Sequence, residues 1–235
     1  MLEIRNIDAY YGDSHVLHDM SLAIGQAEVV AVLGRNGVGK TTLVRSIVGL
    51  TPPRNGQILL NGRDITSLHP YEIIRRGVAL VPQGRRMFPS LTVRETLEIG
   101  ALVSRFDGER RGWTVERVLE AFPRLKERLD TLTGRLSGGE QEMVAISRAL
   151  VGYPRLLLLD EPSEGLSPQM LTQIEELFRE LKATGVSMLL VEQQVAFALR
   201  FADRVLVMSK GQLVYEGTPA DMVGNPEVGK RYLGL

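Results

Sequence analysis

The 235-residue chain contains no cysteine, which excludes disulfide bonds, thiolate metal sites and cysteine nucleophiles together. It also lacks a long apolar run, since no segment approaches the ~18 residues that a membrane-spanning helix requires. Residues 1–5 contain no apolar core of a signal peptide. We therefore expect a soluble cytoplasmic protein that acts at a membrane only through a partner.

Neither sign of charge is in excess, because 28 lysine and arginine residues balance 28 aspartate and glutamate residues. A protein that neutralises many phosphates along a duplex usually has a basic excess, so broad nucleic-acid binding is disfavoured. The sequence also has no internal repeat and no low-complexity segment. Its length is sufficient for one large domain, or for one domain that carries an inserted subdomain.

What the sequence does contain is a glycine-rich segment that matches the pattern G-x-x-x-x-G-K-[ST] in full. An apolar, β-branched run at 29–33 precedes it and predicts a buried strand, and a run with helical spacing follows it. In such a loop the glycines let backbone N–H groups converge on a polyphosphate at the start of a helix. Lys40 would reach the β- and γ-phosphates, and the Thr41 hydroxyl would bind Mg²⁺. The segment therefore predicts a nucleotide-binding site made by Gly34, Arg35, Asn36, Gly37, Val38, Gly39, Lys40, Thr41 and Thr42.

The hydrophobic pattern predicts strands in both halves of the chain and a helical block between them. Strands are expected at 2–11, 16–24, 57–60, 78–81, 156–159, 186–191, 205–208 and 212–215. Helices are expected at 70–76, 92–101 and 115–122, from 168 onward and after Thr218, and a loop is expected at 106–114. We predict one domain over 1–235, with an α/β core at 1–83 and 153–235 and a helical subdomain at 84–152.

Two apolar features could serve either the core or a ligand. Tyr11 lies just before a predicted turn, where it would either stack on an adenine ring or be half-buried in its strand. The other feature is one apolar face of the helix that begins near Pro168. We interpret this face as core packing and not as a cofactor site; it comprises Met170, Ile174, Leu177, Phe178 and Leu181.

Four of the predicted buried strands end at polar residues. The strand at 29–33 leads into the glycine loop, and the others end at Gln83, at Asp160 and Glu161, and at Glu192 and Gln193. Ligands bind at the carboxyl ends of parallel strands, so these groups face one crevice if the four strands are neighbours.

The polar residues at these strand ends have the chemistry of ATP hydrolysis. Asp160 follows an unbroken apolar strand, which is the pattern of the carboxylate that holds Mg²⁺ in P-loop proteins. Glu161 would then orient a water molecule or accept its proton, an effect worth about 10²–10⁴ in rate. Gln83 would bind Mg²⁺ and sense the γ-phosphate. We therefore predict hydrolysis of ATP with Glu161 as the base.

A second glycine-containing helix start lies at 137–140. Ser137 and Glu140 have the spacing of a capping box, and two glycines lie between them. Spacing alone favours a well-capped helix over an anion site. The chain nevertheless has two such helix starts and only one Asp-Glu pair, so it would bind either two ligands or one ligand shared between two copies.

The segment Leu136, Ser137, Gly138, Gly139, Glu140 and Gln141 resembles the signature of ATP-binding cassette (ABC) proteins. With the glycine loop, Gln83 and residues 158–162 in that order, the resemblance covers essentially the whole chain. It implies an α/β fold: a P-loop (RecA-like) ABC ATPase core with an N-terminal antiparallel β subdomain and an inserted α-helical subdomain. It also implies a dimer in which Ser137 and Gly139 of one copy close on ATP held by Lys40 of the other.

The expected site combines the residue-based assignments with those that the resemblance implies. ATP would contact Tyr11 through its adenine, together with the glycine loop, Gln83, Ser137, Gly138, Gly139 and Glu140. Mg²⁺ would be held by Thr41, Gln83 and Asp160, and the catalytic groups would be Lys40, Glu161 and Gln193. The helical subdomain matches the part that contacts membrane subunits, with the segment after Gln83 at the contact.

Two positions depart from the pattern of the family. Ser167 stands where an Asp is usual, and a Ser before Pro168 also suits a helix N-cap. Gln193 stands where the family usually has a histidine, and the only histidines are His15, His18 and His69. Glutamine can donate a hydrogen bond to the γ-phosphate but cannot take up a proton, which leaves Glu161 as the better base.

Several segments together resemble the LivF-type ATPases of bacterial branched-chain amino-acid importers, which urea and short-amide importers also use in similar form. These segments are 34–37, 81–88, 191–193 and 232–235. The resemblance implies an ATPase dimer of identical or related subunits, two membrane permeases and, indirectly, a periplasmic or extracellular solute-binding protein. It places the chain at the cytoplasmic face of the inner or plasma membrane and implies no nucleic-acid partner.

Rival functions are a soluble ABC ATPase of DNA repair, chromosome organisation or translation, and a small-molecule kinase. The first would require sustained heptads or a second cassette, and the sequence has neither. A kinase would leave residues 137–140 without a role.

Overall fold

The computed structural model describes residues 1–103 and 113–234. Its strands are β1 (Leu2–Tyr11), β2 (Ser14–Ile24), β3 (Val29–Leu33), β4 (Asn55–Leu60), β5 (Arg63–Asp64), β6 (Val78–Val81), β7 (Leu156–Asp160), β8 (Ser187–Glu192), β9 (Arg204–Ser209) and β10 (Gln212–Gly217). The helices α1 to α5 span Lys40–Ile47, Pro70–Ile74, Val93–Val103, Val115–Ala121 and Pro123–Lys126. The helices α6 to α10 span Gly138–Leu150, Pro168–Ala183, Val195–Ala198, Pro219–Val223 and Pro226–Val228.

The strands form two sheets. An antiparallel sheet has the order β2-β1-β4-β5, and a mixed sheet has the order β10-β9-β3-β8-β7-β6. In the mixed sheet β9, β3, β8, β7 and β6 are parallel, and β10 is antiparallel at one edge. The four strands that end at polar residues, β3, β8, β7 and β6, are therefore neighbours. This is the arrangement that the sequence analysis required for their ends to face one crevice.

The mixed sheet separates two apolar cores, and alternate residues of β3 contribute to each. Val29, Ala31 and Leu33 pack with helices α3 to α8 on one side. Val30 and Val32 pack with α1 and the antiparallel sheet on the other side. Burial on both faces explains why every residue of β3, β7 and β8 is buried and why their sequences are almost continuously apolar. The predicted α/β class is confirmed.

The described part of residues 84–152 contains α3, α4, α5, α6 and a 3₁₀ turn at Thr133–Arg135, with one isolated bridge between Thr92 and Leu132. The capping box that opens α3 is confirmed, because the Thr92 N–H donates to Glu95 Oε2 at 2.7 Å and the Glu95 N–H donates to Thr92 Oγ1 at 3.2 Å. Of the loop predicted at 106–114, only Trp113 and Thr114 lie within the described residues.

Several predicted boundaries differ from the structure. β2 begins at Ser14 and not at 16, because Ser14 still pairs with Tyr11 across the hairpin. β4 begins at Asn55 and not at 57, since its pairing with β1 extends to Asp8. α2 ends at Ile74 and not at 76. The short elements β5 and α5 were not predicted, because segments of two and four residues are too short for a hydrophobic period.

No helix within residues 1–103 and 113–234 is both long and apolar enough to cross a membrane.

Candidate nucleotide-binding site

The glycine loop connects β3 to α1, and its conformation depends on glycine. Gly37 and Gly39 have φ of 79° and 109°, in the left-handed region that side chains disfavour. A Cβ atom at Gly34 would lie 2.7 Å from the carbonyl oxygen of Met208. Every residue of α1 is described, and its first turn contains no acidic residue and no side-chain cap. The loop therefore presents the positive end of a helix to an external anion.

Lys40 lies at the start of α1 with its ammonium group directed into the loop. The side chain is 4% exposed, and Nζ donates to the carbonyl oxygens of Gly34 at 2.8 Å and Arg35 at 3.1 Å. Its third neighbour is Glu161, whose Oε1 lies 3.0 Å from Nζ. These contacts fix the buried cation beside the helix start.

Asp160 at the end of β7 faces Thr41 of α1. The Thr41 hydroxyl donates to Asp160 Oδ1 at 3.2 Å. Burial raises the pKa of Asp160 to about 6, although the Thr41 hydrogen bond acts in the opposite direction. The negative charge of Asp160 is thus only partly compensated, which is the environment that a bound cation would stabilise. A hydroxyl and a carboxylate are also hard oxygen ligands that Mg²⁺ prefers, so this pair fits a magnesium ion.

Of the residues that the structure describes, no group of three histidine, cysteine, aspartate or glutamate side chains could hold a metal ion. Mg²⁺ commonly takes oxygen ligands from phosphates and water besides one or two carboxylates.

Glu161 and Gln83 contact each other across the carboxyl ends of β7 and β6. Gln83 Nε2 donates to Glu161 Oε2 at 2.9 Å and to Glu164 Oε2 at 3.3 Å. Glu161 has φ of 53°, a backbone conformation that is uncommon for a residue other than glycine. Such strained residues concentrate at functional sites, where surrounding contacts hold them. For Glu161 those contacts are Gln83, Lys40 and the backbone carbonyl of Val191, which its N–H reaches at 2.9 Å.

Lys40, Thr41, Gln83 and Glu161 line one cavity of about 460 Å³, a size typical of small-molecule sites. Tyr11 is 45% exposed and lines the cavity, which favours the ligand-contact interpretation of Tyr11 over a half-buried strand residue. The lining residues are Tyr11, Val16, Asn36, Gly37, Gly39, Lys40, Thr41, Thr42, Gln83 and Glu161.

The second glycine-containing helix start has a different environment. The N–H and hydroxyl of Ser137 both donate to Glu140 Oε2 at 2.8 Å, and the Glu140 N–H donates to Ser137 Oγ at 3.3 Å. These hydrogen bonds from Ser137 lower the pKa of Glu140. Among the described residues that line the 460 Å³ cavity, none comes from this segment. Within one chain, residues 137–140 form a capped helix and do not join the glycine loop.

Met170 covers Gly139 at this helix start. A Cβ atom at Gly139 would lie 2.0 Å from Met170 Cε, so the methionine packs directly on the glycine backbone. The prediction that Met170 belongs to the core is therefore only partly right, because it is half-buried whereas Ile174, Leu177 and Phe178 are fully buried. The apolar face of α7 therefore packs in the core through Ile174, Leu177 and Phe178 and contacts the start of α6 through Met170.

Ser167 and Gln193 are the two positions that depart from the pattern of the family. Ser167 caps α7, accepting a hydrogen bond from the Met170 N–H at 3.4 Å. Gln193 is exposed at the end of β8, directly after Glu192, whose carbonyl oxygen accepts from the Gly34 N–H at 3.3 Å. Of the described residues, those that line the cavity do not include Gln193. Its assignment to catalysis stays a prediction.

Comparison with known proteins assigns the family. Residues 17–164 match the family model described as ABC transporter. Over 234 residues the chain is 42% identical to the high-affinity branched-chain amino acid transport ATP-binding protein BraG of Pseudomonas aeruginosa, with 100% of both chains covered. It is also 37% identical to the probable branched-chain amino acid transport ATP-binding protein LivF of Archaeoglobus fulgidus, covering 100% of this chain and 99% of that one. The chain belongs to the ABC transporter family.

Solved structures of ABC proteins have the same fold. A nucleotide-free ATP-binding cassette superposes with a TM-score of 0.84 at 28% identity and covers 96% of this chain and 94% of its own. An ATP-binding cassette in the ADP conformation superposes with a TM-score of 0.84 at 29% identity, with coverage of 98% and 97%. The predicted ABC ATPase fold is confirmed, and this ABC chain is an ATP-binding subunit that hydrolyses ATP.

Some residues near the site of this ABC subunit were not predicted from the sequence. Val16 lines the cavity because β2 pairs with β1 beside Tyr11, which the hairpin pattern could have indicated. Glu164 contacts Gln83, and Arg85 contacts the start of α6. No local spacing could have revealed those two contacts, since they join segments distant in sequence.

Proposed function

We propose that this chain binds MgATP in the 460 Å³ cavity and hydrolyses it to ADP and phosphate with Glu161 as the base. The observation that carries the proposal is the contact of Lys40 and Gln83 with the same Glu161 carboxylate, at 3.0 and 2.9 Å. A cation for phosphate and a candidate base therefore lie within one hydrogen bond of each other. Tyr11 would stack on the adenine, and the glycine loop would bind the phosphates through its N–H groups.

Mg²⁺ would be held by Thr41, Asp160 and Gln83, the first two of which already contact each other. When bound, the ion neutralises charge on the β- and γ-phosphate oxygens. Gln83 would need to turn its amide oxygen to the metal, giving up the hydrogen bond that its Nε2 donates to Glu161. That exchange would free one oxygen of Glu161.

Lys40 provides a second exchange of the same kind. Its ammonium group lies 3.0 Å from Glu161 Oε1 in the structure, and a phosphate oxygen would compete with that carboxylate for the lysine. Released from Lys40 and Gln83, the Glu161 carboxylate can accept the proton of a water molecule as the water attacks the γ-phosphorus. The bond between the γ-phosphorus and the oxygen that bridges it to the β-phosphate breaks, and ADP leaves with that oxygen. General-base catalysis of this kind contributes about 10²–10⁴ in rate.

The remaining contacts would come from a second ABC subunit, either another copy or a related chain. Ser137 is exposed and lies outside the cavity of its own chain. In a dimer, Ser137, Gly138 and Gly139 of one subunit would face the ATP of the other. Because Glu140 Oε2 accepts the Ser137 hydroxyl hydrogen bond, phosphate would have to displace that carboxylate.

We further propose that hydrolysis powers the uptake of branched-chain amino acids. The two relatives that support this, at 42% and 37% identity, are both named as branched-chain amino acid transport proteins. Relatives named for glutamine transport and for lipopolysaccharide export are 33% identical. The partners would be two permeases and, indirectly, a solute-binding protein, at the cytoplasmic face of the membrane and without nucleic acid. The helical segment at 84–152, with Phe88 exposed after Gln83, is the proposed permease contact.

Glu161→Gln tests the catalytic assignment, because it keeps the shape of the side chain and removes the base. We expect ATP affinity within about twofold of wild type and turnover at least about 100-fold lower. Equilibrium binding of a fluorescent ATP analogue and phosphate release measure the two quantities. Glu176→Gln, an exposed position on α7, is the control and should leave both unchanged. Wild-type turnover in Glu161→Gln would refute the role of Glu161.

The transport assignment is tested with the complete transporter in liposomes. Leucine together with the solute-binding protein should stimulate ATP hydrolysis, and urea should not. Stimulation by urea alone, or copurification of this chain with ribosomes or nucleic acid in place of permeases, would contradict the proposed importer.

A further inference from the structure

Glu142 is a buried carboxylate that the proposed reaction does not use. It lies on α6, is 5% exposed, and belongs to the turn that follows Ser137. Burial raises its pKa to about 7, and the nearby carboxylates of Glu164 and Glu192 act in the same direction. Only one cation opposes these effects, since of the described residues Arg85 alone forms an ion pair with Glu142, with Nε 3.4 Å from Oε2. A buried carboxylate costs free energy, which a single ion pair repays only if the geometry of the pair is good and further hydrogen bonds support it.

Arg85 occupies the junction of three segments. It follows Gln83 by two residues in the loop after β6 and has φ of 65°, a left-handed conformation that is unfavourable for arginine. Its Nη2 donates to the Glu164 carbonyl oxygen at 3.4 Å. A Cβ atom at Gly138 would lie 2.7 Å from its Nη1, so the guanidinium packs directly against the start of α6.

The contacts of Gln83 and Arg85 link three segments of the chain. Gln83 reaches Glu161 and the Glu164 side chain, while Arg85 reaches the Glu164 backbone and Glu142. The loop after β6, the loop after β7 and the start of α6 are thus joined by side chains on both sides of Glu164. Because Gln83 and Arg85 lie in the same loop, a movement of α6 or of the loop after β7 changes a contact of that loop.

We propose that the Arg85–Glu142 ion pair is a positioning pair that sets the start of α6 relative to Gln83 and Glu161. Through it, the Ser137 end of α6 and the catalytic carboxylate adopt one mutual geometry. The inference rests on the proposed ATP hydrolysis and adds two residues that contact neither nucleotide nor metal. It also gives a physical reason for keeping a carboxylate at position 142, where a neutral side chain of the same shape would avoid the burial penalty.

Stability and activity should therefore respond in opposite directions. Replacing the Glu142 carboxylate by its amide removes the desolvation penalty of that carboxylate. Arg85, whose side chain is 26% exposed, can then turn to solvent and is not left as a buried unpaired charge. Glu142→Gln should therefore unfold at the same or a higher temperature than wild type. The same variant loses the charge that orients Arg85. We expect kcat for ATP hydrolysis to fall about tenfold, with ATP affinity within about twofold, because Lys40 and the glycine loop are untouched.

Glu175→Gln is the matched control. Glu175 is another buried helical carboxylate with arginine partners, Arg200 at 2.7 Å and Arg179 at 3.8 Å, on α7 and outside the cavity. Its replacement should leave kcat unchanged. Arg85→Ala and the Arg85→Ala/Glu142→Gln double variant complete a cycle, in which the double variant should lose no more activity than Arg85→Ala alone.

The experiment measures kcat, KM, fluorescent-ATP affinity and thermal unfolding for these variants of the full chain. Turnover of Glu142→Gln equal to that of Glu175→Gln would overturn the proposal. So would strictly additive losses in the double variant, or a fall in unfolding temperature that accounts for the lost activity. If Glu142→Gln does not fold, the Arg85→Ala result decides alone, since Arg85 is partly exposed. A wild-type chain without ATP hydrolysis would instead refute the proposed function.

Discussion

Helices α1 and α6 both begin at glycines, and each start is a predicted anion site. The N–H groups at the two starts, which have no partner within the helix, are satisfied in different ways. At α1, Gly39 precedes the helix without a side-chain cap, and Lys40 lies beside it. At α6, Ser137 and Glu140 form a reciprocal cap. The N–H groups at the start of α1 are thus available to a ligand, whereas part of those at α6 are satisfied by the protein itself.

The difference is consistent with the proposal that the start of α1 binds ATP within one chain, whereas the start of α6 acts on the ATP of a second subunit. The α1 site has a cation, a cavity and the Asp160–Glu161 pair in contact with it. The α6 site has its own carboxylate in place of an anion, and Met170 covers Gly139. A phosphate can bind at α6 only by competing with Glu140, which a second subunit carrying ATP could bring about.

Removing the cation from the α1 site should have the largest effect. Lys40→Ala deletes a charge-assisted hydrogen bond to phosphate worth about 1.5–3 kcal/mol, so ATP affinity should fall roughly 10- to 100-fold and turnover should be lost. Fluorescent-ATP binding and phosphate release measure both. Lys182→Ala, which breaks an exposed ion pair with Asp203, should leave both unchanged. Unaltered ATP affinity in Lys40→Ala would remove the distinction between the two helix starts.

Ser137→Ala tests whether α6 acts only on the nucleotide of another subunit. The loss of the N-cap should reduce stability by about 1 kcal/mol. ATP affinity should stay within about twofold of wild type, while turnover falls about tenfold or more. Thr218→Ala removes the corresponding cap of α9 and should lower stability without changing turnover. Equal turnover in the two variants would reduce α6 to a capped helix.

Gln193→Ala should have a smaller effect on the α1 site. Gln193 is exposed at the end of β8, next to the residue that accepts the Gly34 N–H. If Gln193 donates a hydrogen bond to the γ-phosphate, as we predict, its loss should slow hydrolysis severalfold and weaken ATP binding less. Measurement of kcat and ATP affinity on the same preparation separates these effects. An unchanged rate would exclude Gln193 from the site.

The smallest expected effect concerns stability and pH at α6. The pKa of Glu142 is about 7 in the folded chain, against 4.5 for an unperturbed glutamate. Between those values the folded chain binds a proton that the unfolded chain has released, so this residue makes stability fall as pH rises through the window. Glu142→Gln lacks this contribution, and its advantage over wild type should grow from about pH 4.5 to about pH 7.

Thermal unfolding across that pH range measures the difference, which we expect to reach a few degrees. A stability difference between Glu142→Gln and wild type that does not change with pH would show that Glu142 is already ionised at low pH in the folded chain. Asp160, whose pKa is also raised by burial, contributes to wild type and variant alike and cancels from the comparison.

The sequence predicted the elements that have strong local signals. The buried strand at 29–33, the glycine loop and the capping boxes at Thr92 and Ser137 were all predicted, because each depends on residues close together in the chain. The helix start at 137–140 was ambiguous by spacing alone, and the resemblance to ABC proteins was needed to interpret it. Very short elements such as β5 and α5 were not predicted.

The sequence by itself indicated the family, the nucleotide-binding loop and the polar residues that follow four buried strands. It could do so because motifs and hydrophobic periods are local properties of a chain. Only the tertiary structure decided that Gln83, Lys40 and Glu161 touch, that Met170 covers Gly139, and that Arg85 pairs with Glu142. Those contacts join segments far apart in sequence. They arise from the order in which parallel strands are placed in the sheet and from the way helices pack over it.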